Sequence, residues 1–115
     1  MFILLNKSNL NNKKYRAVFY NSDTDKKIKT VHFGSSKNND YLIYNKTVSK
    51  EKADDRKQLY IKRNEKRQIN LWNNKPMSPA ALSRWLLWNL PTMEQSIDSY
   101  LEKFPEIKKV IVGNI

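Results

Sequence analysis

SPAALSRWLLWNLP, residues 78 to 91, is the stretch around which the rest of the chain arranges itself. Ser78 is a residue type that accepts a hydrogen bond from the open N–H groups of a first helical turn. Pro79 suits the first helical position, where its missing N–H would go unused anyway. Pro91 disfavours helical backbone in the residue before it, so the spacing predicts a helix from residue 79 to about residue 89. On that helix Ala81, Leu82, Trp85, Leu86 and Trp88 form a broad apolar stripe. The stripe reads as core, with the alternative that one tryptophan is left outside to meet a partner or a base. Arg84 lies on the side away from Leu82 and Leu86.

Downstream, Thr92 followed three residues later by Gln95 is a capping box that starts another helix. In it Met93, Ile97, Tyr100, Leu101 and Phe104 recur at helical spacing, and Pro105 ends it. IKKVIV, residues 107 to 112, is a strand or a tail.

Upstream, residues 14–20 and 27–33 alternate with a period of two around the turn-forming NSDTDK, which predicts a β-hairpin. The FILL at the start is a short strand or an apolar tail. Gly34 closes the second strand of the hairpin, where glycine-only backbone angles would be useful. YLIY, residues 41–44, is read as a third strand, with a packed loop as the alternative. Residues 49–67 lack proline and glycine and carry acids early and bases late, which suits a helix of four to five turns. LWNNKP, residues 71–76, reads as a loop that begins with an anchoring Trp72. These elements predict one small α+β domain, with an antiparallel hairpin or small sheet packed against three helices. Its expected core is Phe19, Val31, Phe33, Trp72, Trp85 and Leu86, with Ile97, Tyr100 and Phe104 from the last helix.

The composition bounds the function. A chain of 115 residues suffices for one domain with one modest core. With no cysteine and a single histidine, His32, thiolate and multi-histidine metal sites are excluded. No secretory leader or bilayer span is visible, so no membrane partner is expected. The formal charge is +11, and all of it falls before Ser78: residues 1 to 77 hold 18 basic and 7 acidic side chains, and the remainder hold 4 of each. That imbalance points to a polyanionic partner or a membrane surface, of which the first is the expectation. Lysine, asparagine and isoleucine are all abundant, as A+T-rich codons would make them, so the five arginines are the more informative cations. Four of the five lie between Arg56 and Arg84.

Lys52, Arg56, Tyr60, Arg63 and Arg67 are spaced 4, 4, 3 and 4 and share one helix face, with Lys62 and Lys66 alongside and Arg84 as an extension. Guanidinium groups on such a stripe can fork onto phosphate oxygens, and Tyr60 can stack on a base. In the alternative Tyr60 packs inward and the arginines are its solvated rim. His32 could act as a general base, or be structural, and it has no companion nucleophile nearby in sequence. Asp54 and Asp55 with Glu65 suggest a nuclease carboxylate cluster, yet the two aspartates already have an ordinary role as acids early in a helix. There is no glycine-rich phosphate loop and no nucleophile elbow. The chain is therefore expected to be no enzyme and to need no cofactor. Three functions remain in order: a nucleic-acid-binding accessory protein, with DNA before RNA; a packing module that meets acidic proteins or forms a homo-oligomer; and a metal-dependent nuclease.

His32-Phe33-Gly34, Asp40-Tyr41, Arg56-Lys57 with Tyr60 and Arg63, Trp72, and ALSRWLLWN at 81–89 with Pro91, Ile97, Tyr100 and Phe104 together resemble a small domain without assigned activity. That domain belongs to large nucleocytoplasmic DNA viruses of amoebae and algae. The likeness spans about residues 14 to 104. It departs at Asn64, where the pattern has histidine, and at Ala80-Ala81, where it has glycine-alanine. The resemblance implies an A+T-rich viral genome and a place among proteins that handle DNA in the virion or in an intracellular viral factory.

Overall fold

Period-two alternation turns one side of each strand toward the helices, and the chain builds a sheet from both of its ends. In the computed structural model, which describes residues 1–115, β1 (Phe2–Lys7), β2 (Lys13–Tyr20), β3 (Lys27–Ser35) and β4 (Lys109–Val112) form one sheet in the order β3-β2-β1-β4. β2 and β3 are the expected antiparallel hairpin, with Tyr15 opposite Phe33 and Ala17 opposite Val31. β1 pairs antiparallel with β2, and β4 lies parallel to β1 with Ile3 opposite Val110. The terminal segments are therefore strands, and β1 is an inner one.

Four helices cover one face of the sheet, one more than the sequence led us to expect. They are α1 (Tyr41–Thr47), α2 (Lys50–Asn74), α3 (Pro79–Leu82) and α4 (Met93–Lys103). Asp40, Ser49, Ser78 and Thr92 cap them, each side chain accepting from the backbone N–H three residues on, at 3.1 to 3.3 Å. Between sheet and helices lies the core, where Ile3, Leu5, Phe19 and Phe33 meet Leu82, Leu86, Leu87 and Tyr100 with no more than 1% of any of them exposed. Each such side chain contributes about 1.5–3 kcal/mol by leaving water. Tyr100 keeps its hydroxyl satisfied at Pro76 O, 2.9 Å away. The result is an α+β fold with a single core. No helix is long and apolar enough to cross a membrane.

Three local expectations are corrected. Residues 41–44 are the start of α1, not a strand: Asp40 accepts from Ile43 N at 3.1 Å, and the Asn45 amide returns to Tyr41 O at 2.7 Å. Local capping outweighs the β-propensity of a four-residue apolar run. Residues 71–74 are not loop but the last turn of α2. Trp72 is buried there and donates its indole N–H to Gln68 Oε1, one turn earlier, at 3.1 Å. Tertiary burial overrides the weak helix propensity of the asparagines. Finally, the helix that begins at Pro79 does not run regularly to residue 89. From Ser83 to Leu87 it widens into a π-helical turn, closed by Trp88 N donating to Ser83 O at 3.1 Å. The extra residue parts the two tryptophans, and Trp85 is only half-buried, with its Nε1 donating to Trp72 O at 2.6 Å.

Gly34 ends β3 at φ +80°, and a Cβ built there would stand 2.8 Å from Leu87 Cδ1. Both the backbone angle and the contact oppose a side chain. Gly34→Ala is expected to lower unfolding stability by about 1–3 kcal/mol, read as a shift in urea midpoint at unchanged slope. An unshifted midpoint would show that Leu87 can yield.

Candidate functional site

Helix α2 is 25 residues long and buries only Ala53 and Trp72. A helix so polar must be held by a few strong contacts, and aromatic rings supply them. Tyr60 lies flat on Trp88 with ring centroids 4.4 Å apart and planes 1° from parallel, and its other neighbour is Trp72 at 6.1 Å. Tyr44 of α1 leans on Trp88 at 6.3 Å, and the Arg56 guanidinium sits 5.7 Å from the Tyr44 ring. A column of stacked side chains thus runs along α2 and joins the main core through Trp88.

Arg84 belongs to that column rather than to any outer basic face. Its guanidinium lies 4.4 Å from the Trp85 ring and 5.4 Å from Trp72, and its Nη1 donates to Trp88 O at 2.8 Å. Its Nε is buried with no hydrogen-bond partner. Burial pulls the guanidinium's pKa below its ordinary value, opposed by Tyr60 and Glu65. Lys57 is drawn in likewise: it donates to Asn89 O at 2.6 Å and covers the Tyr41 ring. Burial, and then the neighbouring Arg84 charge, lower its pKa. The arrangement corrects two expectations at once. Arg84 does not extend the basic stripe, and Tyr60 spends its ring on Trp88, stacked at 4.4 Å, with Trp72 close by, rather than on a base.

What remains of the stripe is organised around a cleft. Arg56, Tyr60 and Arg63 line a hollow of about 480 Å³ together with Lys37, Asn38 and Asn39 from the loop after β3. Three cations line this hollow and no carboxylate does. Arg67 stands just behind, exposed, and donates to Asn64 Oδ1 at 2.9 Å, while the Asn64 amide donates to Tyr60 O at 2.8 Å. Burial pushes the Tyr60 hydroxyl up to about 12. It therefore remains a neutral donor across the physiological range. Lys52, Lys62 and Lys66 are exposed on α2 and line neither this hollow nor the one beside it.

The neighbouring hollow, about 580 Å³, continues from the first and shares Asn38, Asn39, Tyr60, Asn64 and Trp88 with it. Its accessible apolar lining is Leu71, Pro79 and Ala80, with the buried Phe33 and Leu87 bordering it, and its polar lining includes Gln68, Ser83, Lys13 and Lys14. The only carboxylate there is Asp40, which is bound to Lys14 at 2.7 Å. Sequence reasoning passed over Lys37, Asn38, Asn39 and Gln68. The loop SSKNND carries no signal of its own, and only the tertiary fold lays it beside α2.

The other candidate chemistry is dispersed. Asp54 accepts from the Tyr41 hydroxyl at 2.5 Å and pairs with Lys50 at 3.2 Å, and those two hydrogen bonds lower its pKa. No three His, Asp or Glu side chains come together as a metal site would need. His32 does have a neighbour that the sequence hides: its Nδ1 is 2.8 Å from Ser8 Oγ, which also accepts from Leu10 N. In comparisons with protein-family models, curated proteins and solved structures, nothing matches the chain.

Proposed function

We propose that the protein binds nucleic acid, holding the phosphate backbone along the Arg56–Arg63–Arg67 flank of α2. The observation that carries this reading is the hollow lined by Lys37, Arg56 and Arg63 with no carboxylate among its walls. Guanidinium groups fork onto phosphate oxygens, and a site with three cations and no carboxylate suits an anion far better than a neutral ligand. Under the sequence resemblance, the nucleic acid is viral DNA in a virion or a viral factory.

If about four phosphates are neutralised, the logarithm of the association constant falls with the logarithm of salt concentration at a slope of roughly −3 to −4. Arg56→Ala and Arg63→Ala should each weaken binding on all sequences alike and flatten that slope by about 1. Arg84→Met should leave the slope alone. No binding to single or duplex DNA at about 50 mM salt, where such contacts are strongest, would end the proposal.

A second reading, self-association, draws on the sheet's uncovered face. There Phe2 and Tyr20 stack at 5.0 Å, and Ile111 opposite Leu4 is 43% exposed. A salt-resistant oligomer in the absence of nucleic acid would favour it.

A further inference from the structure

We propose that the two joined hollows are a site for one nucleoside phosphate, with the phosphate at Lys37, Arg56 and Arg63 and the base against the accessible apolar surface of Leu71, Pro79 and Ala80. The inference rests on the nucleic-acid reading and adds to it a ligand class: an unpaired nucleotide, free or within a single strand, rather than a duplex.

Charge gives the orientation. One end of the groove has three cations and no acid, while the other has Lys13 and Lys14 against Asp40, which holds Lys14 at 2.7 Å, so the positive charge is concentrated at the first end. An anionic group belongs at the first end and an uncharged one at the second. Shape and polarity then fit a heteroaromatic ring at the second end, with apolar surface against it and amides at the margin.

Gln68 is the group best placed to read that ring. Indole N–H is a donor only, so the Gln68 atom that accepts it at 3.1 Å must be the carbonyl oxygen. The amide orientation is thereby fixed, and its NH2, with no partner in the chain, is left as a donor in the wall of the hollow. Asn64 is committed differently, with its NH2 held by Tyr60 O and its oxygen by Arg67. Gln68 and the neutral Tyr60 hydroxyl therefore supply donors, which match the ring nitrogens and carbonyl oxygens along a base edge. A base can enter a hollow between a helix and a loop only when it is out of its stack. Duplex DNA offers this groove its phosphates alone.

The test uses the whole chain and four kinds of probe: the nucleoside 5′-monophosphates, the matching nucleosides, inorganic phosphate, and an oligonucleotide as single strand and as duplex. Binding is followed by calorimetry and by tryptophan emission, since Trp88 lines both hollows. At least one monophosphate should bind more tightly than its nucleoside or phosphate alone. The single strand should bind about tenfold or more tighter than the duplex. Gln68→Leu removes the donor without adding charge, so it should erase the single-strand preference while duplex affinity holds. Gln68→Glu keeps the acceptor for Trp72 and should erase the preference too, with a fall in affinity for single strand and duplex alike from its added charge. Circular dichroism should be unchanged in either. If the free monophosphate binds as well as the strand, the ligand is a free nucleotide; if the strand binds tighter, it is nucleic acid, and either supports the site. Equal affinity for single strand and duplex, unchanged by Gln68→Leu, would overturn the site while leaving backbone binding intact. No binding by any probe would overturn both.

Discussion

Replacing Trp72 by alanine will lower unfolding stability by about 3–5 kcal/mol, the usual cost of emptying a large aromatic site. The side chain is 2% exposed and lies outside the main core, among Tyr60, Arg84 and the backbone bond to Trp85 Nε1. Three neighbours lose a partner at once: the Tyr60 ring, the Arg84 guanidinium and the Gln68 amide. α2 buries nothing else in its second half, so the damage should concentrate there. Hydrogen exchange would show faster opening from about residue 60 onward, beyond the global loss. Trp72→Phe should recover most of the packing and none of the Gln68 bond. A loss under about 1 kcal/mol on Trp72→Ala would mean that the column is not what holds α2.

Asp40→Ala should be the costliest polar substitution, at about 3 kcal/mol or more. Its carboxylate, 3% exposed, serves two groups: Lys14 Nζ at 2.7 Å, and Ile43 N at 3.1 Å as the cap of α1. Removing it leaves the Lys14 ammonium, 15% exposed, without a counter-charge and the first turn of α1 without an acceptor. Asp40→Asn retains the cap and should recover about 1 kcal/mol of the loss. Lys14→Met with Asp40→Asn should fare better than Asp40→Asn alone, because no unpaired charge is then left behind. Urea midpoints of the parent chain, Lys14→Met, Asp40→Asn and the double variant decide it, and additive losses would dismiss the coupling. The substitution reaches the proposed site as well, since the loop bearing Lys37, Asn38 and Asn39 is tied down at its far end by Asp40.

Much of this fold is legible in the sequence, because its signals are local. The hairpin is written in the alternation of residues 14–20 and 27–33, and Ser78 with Pro79 and Thr92 mark helix starts where they occur. What escapes is whatever depends on a distant partner. YLIY is the exception, a local signal passed over: Asp40, the residue just before it, caps it as a helix. Trp72 continues α2 only because the rings of Tyr60 and Trp85 stand beside it. Arg84 reads as an outer cation because a wheel shows direction but not what lies there, and here two tryptophan faces lie there. The spacing of Arg56, Tyr60 and Arg63 does identify one side of the cleft. Its other wall comes from an Asn-rich loop more than fifteen residues away, and composition alone gives no reason to look there.

The parallel pairing of β4 with β1 bears on how the chain reaches this state. Met1 N donates to Glu106 O across a sequence separation of 105, and Lys108 N returns a bond to Met1 O. During synthesis β1 emerges about a hundred residues before β4, and until β4 follows one of its edges has no mate. Until then Phe2–Lys7 presents an open apolar edge to any other chain, in the company of a closing loop whose entropy must be overcome late. Lys7 at the end of that strand, with Lys13 and Lys14 at the start of its partner β2, sets like charge against a second copy of the same edge during that wait. Crowded translation of this protein is thus guarded by the same excess of positive charge that its folded surface offers to a ligand.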